Sequence, residues 1–111
     1  MHGLRSKIPA KKMIAAKFHQ SERELLLAAC DYELLGKTIN LSNGAEVKIL
    51  ESFYKDRIVS EEELIKMANE CTTANFFGKE TILALIKGKI ISENSAILLN
   101  GVPHSQLYKF F

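Results

Sequence analysis

Several short segments of this 111-residue chain carry residue types that do chemistry in other settings. Leu35-Gly36-Lys37-Thr38 has the ending of a phosphate-binding loop. The full motif needs a glycine five residues before Gly36, because its backbone N–H groups must wrap the phosphate. Position 31 is Asp, which repels phosphate, and no convincing helix follows Thr38. A turn with a solvated lysine is therefore expected, with Lys37 able to touch a phosphodiester as a point charge. Gly78-Lys79-Glu80-Thr81 departs further from the motif, since Glu80 stands where Ser or Thr is needed. It opens a helix whose free N–H groups favour an anion. A glycine that permits a tight turn into that helix accounts for it better.

Cys30 and Cys71 are the two thiols, with His19 and His104 as candidate bases. A thiol nucleophile needs its activating group within hydrogen-bond reach, and spacing in sequence does not supply that. Both cysteines end apolar runs, so buried small hydrophobes in a reducing compartment are expected. A zinc site would need paired ligands spaced as C-x₂₋₄-C and H-x₃₋₅-H, and neither pair occurs. Glu61, Glu62 and Glu63 complement the dipole of a helix that begins there, which needs no further function. Gly101-Val102-Pro103-His104-Ser105-Gln106 is the most unusual segment, with three hydrogen-bonding side chains on a rigid frame beside a hairpin. Tyr108, Phe110 and Phe111 close the chain next to Lys109, an arrangement suited to base stacking as well as to a small core.

The elements that position these residues follow from periodicity. Met13 to Phe18 and Leu25 to Cys30 are apolar runs around a polar stretch, which predicts a β-hairpin whose second strand is fully buried. Asp31-Tyr32-Glu33 is expected to turn. Ile39 and Leu41, then Val47 and Ile49, alternate with polar neighbours on either side of Asn43-Gly44, a hairpin signal. Ser60 to Cys71 is the clearest helix: Ser60 and Glu63 have capping-box spacing, and Val59 with Leu64 have staple spacing. Thr72-Thr73 and Asn75 are read as breaking it. A second helix is expected from about Lys79 to Lys87, then Ile97-Leu98-Leu99 as a short buried strand. Asn100-Gly101 is a second hairpin signal, and Pro103 pushes the last segment toward an edge strand. The predicted fold is α+β: a small antiparallel sheet with two short helices packed on one face.

Length and composition permit one domain, because 47% hydrophobic and 25% charged residues are ordinary for a globular chain. A chain of this size buries about two-thirds of its unfolded surface, enough for one core. Charge is unevenly placed. Residues 1–20 hold Arg5, Lys7, Lys11, Lys12 and Lys17 with no Asp or Glu, whereas the rest of the chain is net acidic. Residues 1–12 are too poor in apolar groups to drive folding, so they are read as an extended basic arm before a compact domain at 13–111. No apolar run approaches the ~20 residues that span a bilayer, and no secretory h-region is evident. A basic arm on a mildly acidic body points to nucleic acid or an anionic surface.

Taken in order, Ala29 to Thr38 (ACDYELLGKT), Phe53-Tyr54, Ser60 to Glu63, Thr72 to Asn75 with Gly78, and Gly101 to Gln106 resemble an archaeal family known only as domain of unknown function 424. The resemblance covers about residues 24–111 and leaves the arm outside. It implies a compact α+β domain and brings no catalytic residues. Its housekeeping archaeal setting points to translation. The resulting expectation is a cytoplasmic RNA-binding protein of the translation apparatus, associated with a ribosomal subunit. Its contacts would come from Arg5, Lys7, Lys11, Lys12, Lys17, Lys37, His104 and Lys109. Asp31, Thr38, Asn75 and Gln106 would complete a surface shared by the family. Ribosomal RNA and neighbouring ribosomal proteins are the expected partners, with no DNA, membrane, metal or cofactor. The alternatives are a small enzyme or ligand-binding domain centred on Lys37, Asn75 and His104, and a protein–protein adaptor using the C-terminal aromatics.

Overall fold

Asp31 ends the longest strand pair of the protein and also holds the start of a helix, and the fold is laid out around that junction. In the computed structural model, which describes residues 12–109, β1 (Ile14–Gln20) and β2 (Leu25–Asp31) pair antiparallel from Gln20↔Leu25 to Ile14↔Asp31. A 3-10 turn at Tyr32–Leu34 leads into a small hairpin of β3 (Thr38–Asn40) and β4 (Glu46–Lys48). Its loop is longer than two residues: the Leu41 N–H donates to the Ala45 carbonyl across Asn43-Gly44. There follow α1 (Glu51–Tyr54), β5 (Arg57–Val59), α2 (Glu61–Glu70), β6 (Thr73–Phe77) and α3 (Lys79–Lys87). A terminal hairpin, β7 (Ile97–Leu99) and β8 (Val102–Tyr108), completes the described chain.

The α+β class expected from periodicity is the observed one, but the sheet is mixed rather than purely antiparallel. Six strands run in the order β5-β1-β2-β6-β8-β7, and β2 pairs with β6 in parallel. The difference traces to β6, whose Thr73 and Asn75 read as helix breakers. Here Ala74 and Phe76 are buried while Thr73 and Asn75 are half-buried, the period of two that defines a strand with unequal faces. A parallel neighbour requires a long crossover, and everything from β3 to α2 lies in it. The apolar run of β2 is explained at the same time. Leu27 and Ala29 face the core beneath α2 and α3, whereas Ala28 and Cys30 face Tyr54, Ile39 and Ile49 on the opposite side. A strand buried on both faces reads as a continuous apolar run.

Helix α2 starts as its spacing predicts, with the Ser60 hydroxyl accepting the Glu63 N–H at 3.1 Å. The reciprocal half of the capping box is absent, because the Glu63 carboxylate pairs with Arg57 instead. Val59 and Leu64 are both buried in the core on this side. Helix α3 is capped from a distance. Asp31, expected on a shared surface, is only 2% exposed. Its Oδ1 accepts the backbone N–H and the hydroxyl of Thr81, both at 2.8 Å, and its Oδ2 accepts the Glu80 N–H at 3.1 Å. The anion favoured by this helix N-terminus is thus the chain's own carboxylate. Gly78 permits the arrangement: its φ is +112°, and a Cβ there would lie 2.3 Å from the Asp31 Cγ.

The terminal hairpin departs from expectation twice. Ile97 and Leu98 are 56% and 70% exposed, so β7 is an exposed edge strand and not a buried one. Pro103 does not mark an edge, since β8 lies between β6 and β7. The two-residue turn Asn100-Gly101, with φ of +50° and +82°, makes Leu99 and Val102 the hydrogen-bonded pair next to it. Leu98 and Pro103 are then a non-bonded pair, so β7 asks no N–H of the proline. On its other side the chain has already left β6: the Gly78 N–H donates to the Pro103 carbonyl, and the Gly78 carbonyl accepts the Ile82 N–H.

Asp31→Ala is expected to lower stability by about 2 kcal/mol or more, since it removes a helix cap and leaves buried donors unsatisfied. Gly78→Ala should also destabilise, because it forces a Cβ into the Asp31 carboxylate. Urea unfolding midpoints check both, and wild-type midpoints in both variants would contradict this account of the junction.

Candidate functional site

The strand registers set out one face of the main sheet as three rows. One row contains Ala15, Cys30, Phe77, His104 and Ile97; the next Lys17, Ala28, Asn75 and Gln106; the third His19, Leu26, Thr73 and Tyr108. Alternation puts these residues on the face opposite α2 and α3. Tyr54, Ile39 and Ile49 cover the Ala15–Cys30–Phe77 end, and α1 leans on β1. The Lys17 ammonium donates to the Ser52 carbonyl at 2.8 Å, and the His19 Nε2 lies 2.7 Å from the Phe53 carbonyl. Toward β8 the face opens. Gln106 is exposed, Tyr108 is 60% exposed, and Leu26, Thr73, Asn75 and His104 are half-buried. No acidic residue belongs to the three rows. The helix side is of mixed charge, with Glu61, Glu62 and Glu70 interspersed with Lys66, Lys79 and Lys87, all exposed.

The open rows are held in place by their own contacts. The Gln106 Nε2 donates to the Asn75 Oδ1 at 3.0 Å, leaving the Gln106 carbonyl and the remaining Asn75 N–H groups available to a partner. The His104 ring stacks on Phe77 with centroids 4.2 Å apart, and His19 stacks on Phe53 at 4.3 Å. Phe53 meets Tyr54 at 5.1 Å and Tyr54 meets Phe77 at 6.0 Å, so five rings run continuously from His19 to His104. The His104 Nδ1 is 2.9 Å from the Phe76 carbonyl. A carbonyl accepts only, so Nδ1 carries the proton and Nε2 remains an acceptor in the neutral ring. Burial lowers the His104 pKa, partly opposed by that bond, and the ring is neutral at pH 7. A shallow cleft of about 290 Å3 beside it is lined by Ser95, Ile97, Ser105, Gln106 and Tyr108.

The expected site residues separate into groups. Asn75, His104 and Gln106 come together: Asn75 lies opposite Gln106, and His104 is its diagonal neighbour, a relation that puts partners about 7–8 Å apart. Lys37 and Thr38 are exposed on the separate two-stranded sheet, away from this register. Lys109, expected to meet RNA, donates to the Ala68 and Asn69 carbonyls at 2.7 and 3.2 Å, where it caps the C-terminus of α2. Lys12 is exposed. Arg5, Lys7 and Lys11 lie outside the described residues, as do Phe110 and Phe111. Thr73, read from sequence only as a helix breaker, and Leu26 also belong to this face; Ala74 and Phe76 as alternate core positions are the signal for the first.

Among the described residues, both thiols have pKa values raised by burial. Burial pushes Cys30 up to about 12, with the neighbouring Asp31 adding to the effect. Cys71 is also raised by burial, against a smaller opposing pull from Lys109, and its thiol donates to the Ala68 carbonyl. Among the described residues, no three His, Cys, Asp or Glu side chains gather as a metal site, and no helix is long and apolar enough to cross a membrane.

Residues 19–110 match the model of a family described as a protein of unknown function, DUF424. That span takes in every segment on which the resemblance rests and leaves the arm outside. The fold is similar to the crystal structure of an uncharacterized conserved protein from Methanopyrus kandleri. The TM-score is 0.75 at 23% identity, over 86% of this chain and 90% of that one. No curated protein matches the chain.

The histidine makes a pH prediction. Its folded pKa lies below the unfolded value of 6.5, so the unfolded state binds more protons as pH falls below 6.5. His104 therefore contributes stability above that pH which is lost on acidification toward its lowered folded pKa. Urea midpoints at pH 7.5 and 5 are expected to differ less in His104→Gln than in the wild type. An equal difference in both would show that His104 is not a source of the slope.

Proposed function

The chain belongs to the DUF424 family, and we propose that it is a cytoplasmic RNA-binding protein of the translation apparatus. Single-stranded ribosomal RNA would lie across the open rows of the sheet, with neighbouring ribosomal proteins around it. The observation that carries this reading is the acid-free face formed by Asn75, Gln106, Tyr108 and His104. It combines unused amide groups with an exposed ring. Stacking on an aromatic and hydrogen bonds to base edges are how single strands are held, whereas duplex DNA offers no splayed bases to such a surface. Cations come from elsewhere. His104 is neutral, while Lys17 and Lys109 are engaged with carbonyls. The phosphate contacts fall to Arg5, Lys7, Lys11 and Lys12 of the arm, with Lys37 as a further exposed charge.

A ligand-binding or enzymatic role near Lys37, Asn75 and His104 finds support in the closeness of the last two. It is the weaker reading, because Lys37 belongs to another sheet and His104 donates to a backbone carbonyl rather than to a carboxylate that would orient a general base.

Co-sedimentation with ribosomal particles over a salt series tests the proposal. Each phosphate contact on a single strand contributes about 0.7 to the log–log slope, so deleting residues 1–12 should flatten it by nearly 3. Tyr108→Ala and Gln106→Ala should weaken binding by roughly tenfold each without changing the slope, on the scale of one stacked base. Equal sedimentation of the truncated and intact chains at every salt concentration removes the arm's role. Wild-type binding by both point variants removes the role of the face.

A further inference from the structure

Two hollows meet where the described chain begins. One, of about 540 Å3, is lined by Glu61 of α2 and by Glu80, Leu83, Ile86 and Lys87 of α3. The other, of about 440 Å3, passes over Met13, Ile58 and Val59 at the start of β1 and along β5. Lys12 and Glu61 line both, so the hollows join into one groove, and Lys12 is where the arm leaves it. The groove is apolar beyond what the core uses: Leu83 is 50% exposed, three residues from half-buried Ile86 on the same face of α3. On its rim Glu61 pairs with Lys87 at 3.2 Å, whereas the Glu80 carboxylate has no salt bridge among the described residues.

We propose that this groove docks the chain's own basic arm, with Ile8 covering Leu83 and Ile86 and the cations beside it meeting Glu80. Position selects this occupant. Ile8 precedes Lys12 by four residues, and an extended chain spans about 3.5 Å per residue, so Ile8 reaches about 14 Å from the groove's own entrance. That matches the nine residues of α3 at a rise of about 1.5 Å each. A segment tethered so closely has an effective concentration in the millimolar range, roughly, which any foreign segment or second copy must outcompete. Composition agrees with position. Residues 4–11 offer Leu4 and Ile8 to the apolar floor and Arg5, Lys7 and Lys11 to the rim, with no acid. Lys87 is already offset by Glu61, so Glu80 is met without net repulsion. The docked arm lies on the side of α2 and α3, opposite the open rows, where its cations are withheld from a polyanion until that polyanion draws them off. This consequence rests on the RNA reading; the docking itself does not.

Limited trypsin digestion of the full chain tests the docking, read by mass spectrometry as the rate of cleavage after Arg5. Leu83→Gln and Ile8→Gln remove the apolar contact from its two sides, and neither changes a residue of the cleaved bond. Cleavage tracks the population of the open form, so both variants should be cut about tenfold faster than the wild type, with the wild-type urea midpoint. A synthetic peptide of residues 1–12 gives the undocked rate, which the variants should approach. If Leu83→Gln lowers the midpoint, Ile8→Gln, which lies in the arm, carries the comparison. A wild-type chain cut at the peptide's rate overturns the docking and leaves the groove to a foreign segment. Wild-type rates in either folded variant overturn it equally, because the contact would then lack the apolar pair on which it is built.

Discussion

The carboxylate of Asp31 is the constraint on which the rest of the architecture depends. It stands at the end of β2, beside the strand that β6 pairs in parallel, and accepts the first free N–H groups of α3 together with the Thr81 hydroxyl. Burial raises its pKa, whereas the Glu80 and Thr81 donors act in the opposite direction. A buried carboxylate is costly unless such donors surround it. Here they do, and the consequence is geometric: β6 must end where α3 begins, with Gly78 bent against the carboxylate. Helix α3 is thereby fixed over Leu27, Ala29 and Phe76, with α2 packed beside it.

That placement divides the surface. Both longer helices occupy one side of the sheet, and α2 brings its acidic first turn with it. The opposite side is covered only in part, because α1 has four residues and the β3–β4 hairpin covers the Cys30 end and the Leu99–Val102 turn of the terminal hairpin. The open rows are what remains. Their polar character is compatible with folding because each polar group near the core has a partner: Asn75 with Gln106, and His104 with the Phe76 carbonyl. The surface that binds in the proposed function is therefore a by-product of how β2 and β6 are packed.

Local signals were readable from sequence where they act locally. The Ser60 cap, the Asn43-Gly44 and Asn100-Gly101 turns and the second helix depend on residues within a few positions of one another. What escaped is long-range. Asp31 caps a helix that begins about fifty residues later, so its neighbours in sequence say nothing of its burial. Thr73 and Asn75 look like helix breakers until β2 and β8 are placed on either side of them. The run Ile97-Leu98-Leu99 has core composition, and only strand order reveals that it forms a rim. The carbonyl partners of Lys109 likewise lie some forty residues away.

The continuous ring contacts from His19 to His104 bear on how charge and shape are divided in the proposed function. A histidine that served as a phosphate cation would have to stay protonated near neutral pH, which requires solvent or an anion beside it. His104 has no anion beside it in the three rows and only partial access to solvent: one face of its ring lies on Phe77, and its Nδ1 proton faces a carbonyl. Protonation would put a charge against an aromatic core that reaches through Tyr54 to Phe53, with no acidic residue in the three rows to balance it. The site is built to keep this ring neutral, with Nε2 as an acceptor. An acceptor and two amides recognise base edges but do little for affinity to a polyanion, whose binding free energy comes largely from phosphate neutralisation. In this reading the folded domain supplies selectivity and the basic arm supplies attraction, so neither part would bind well alone.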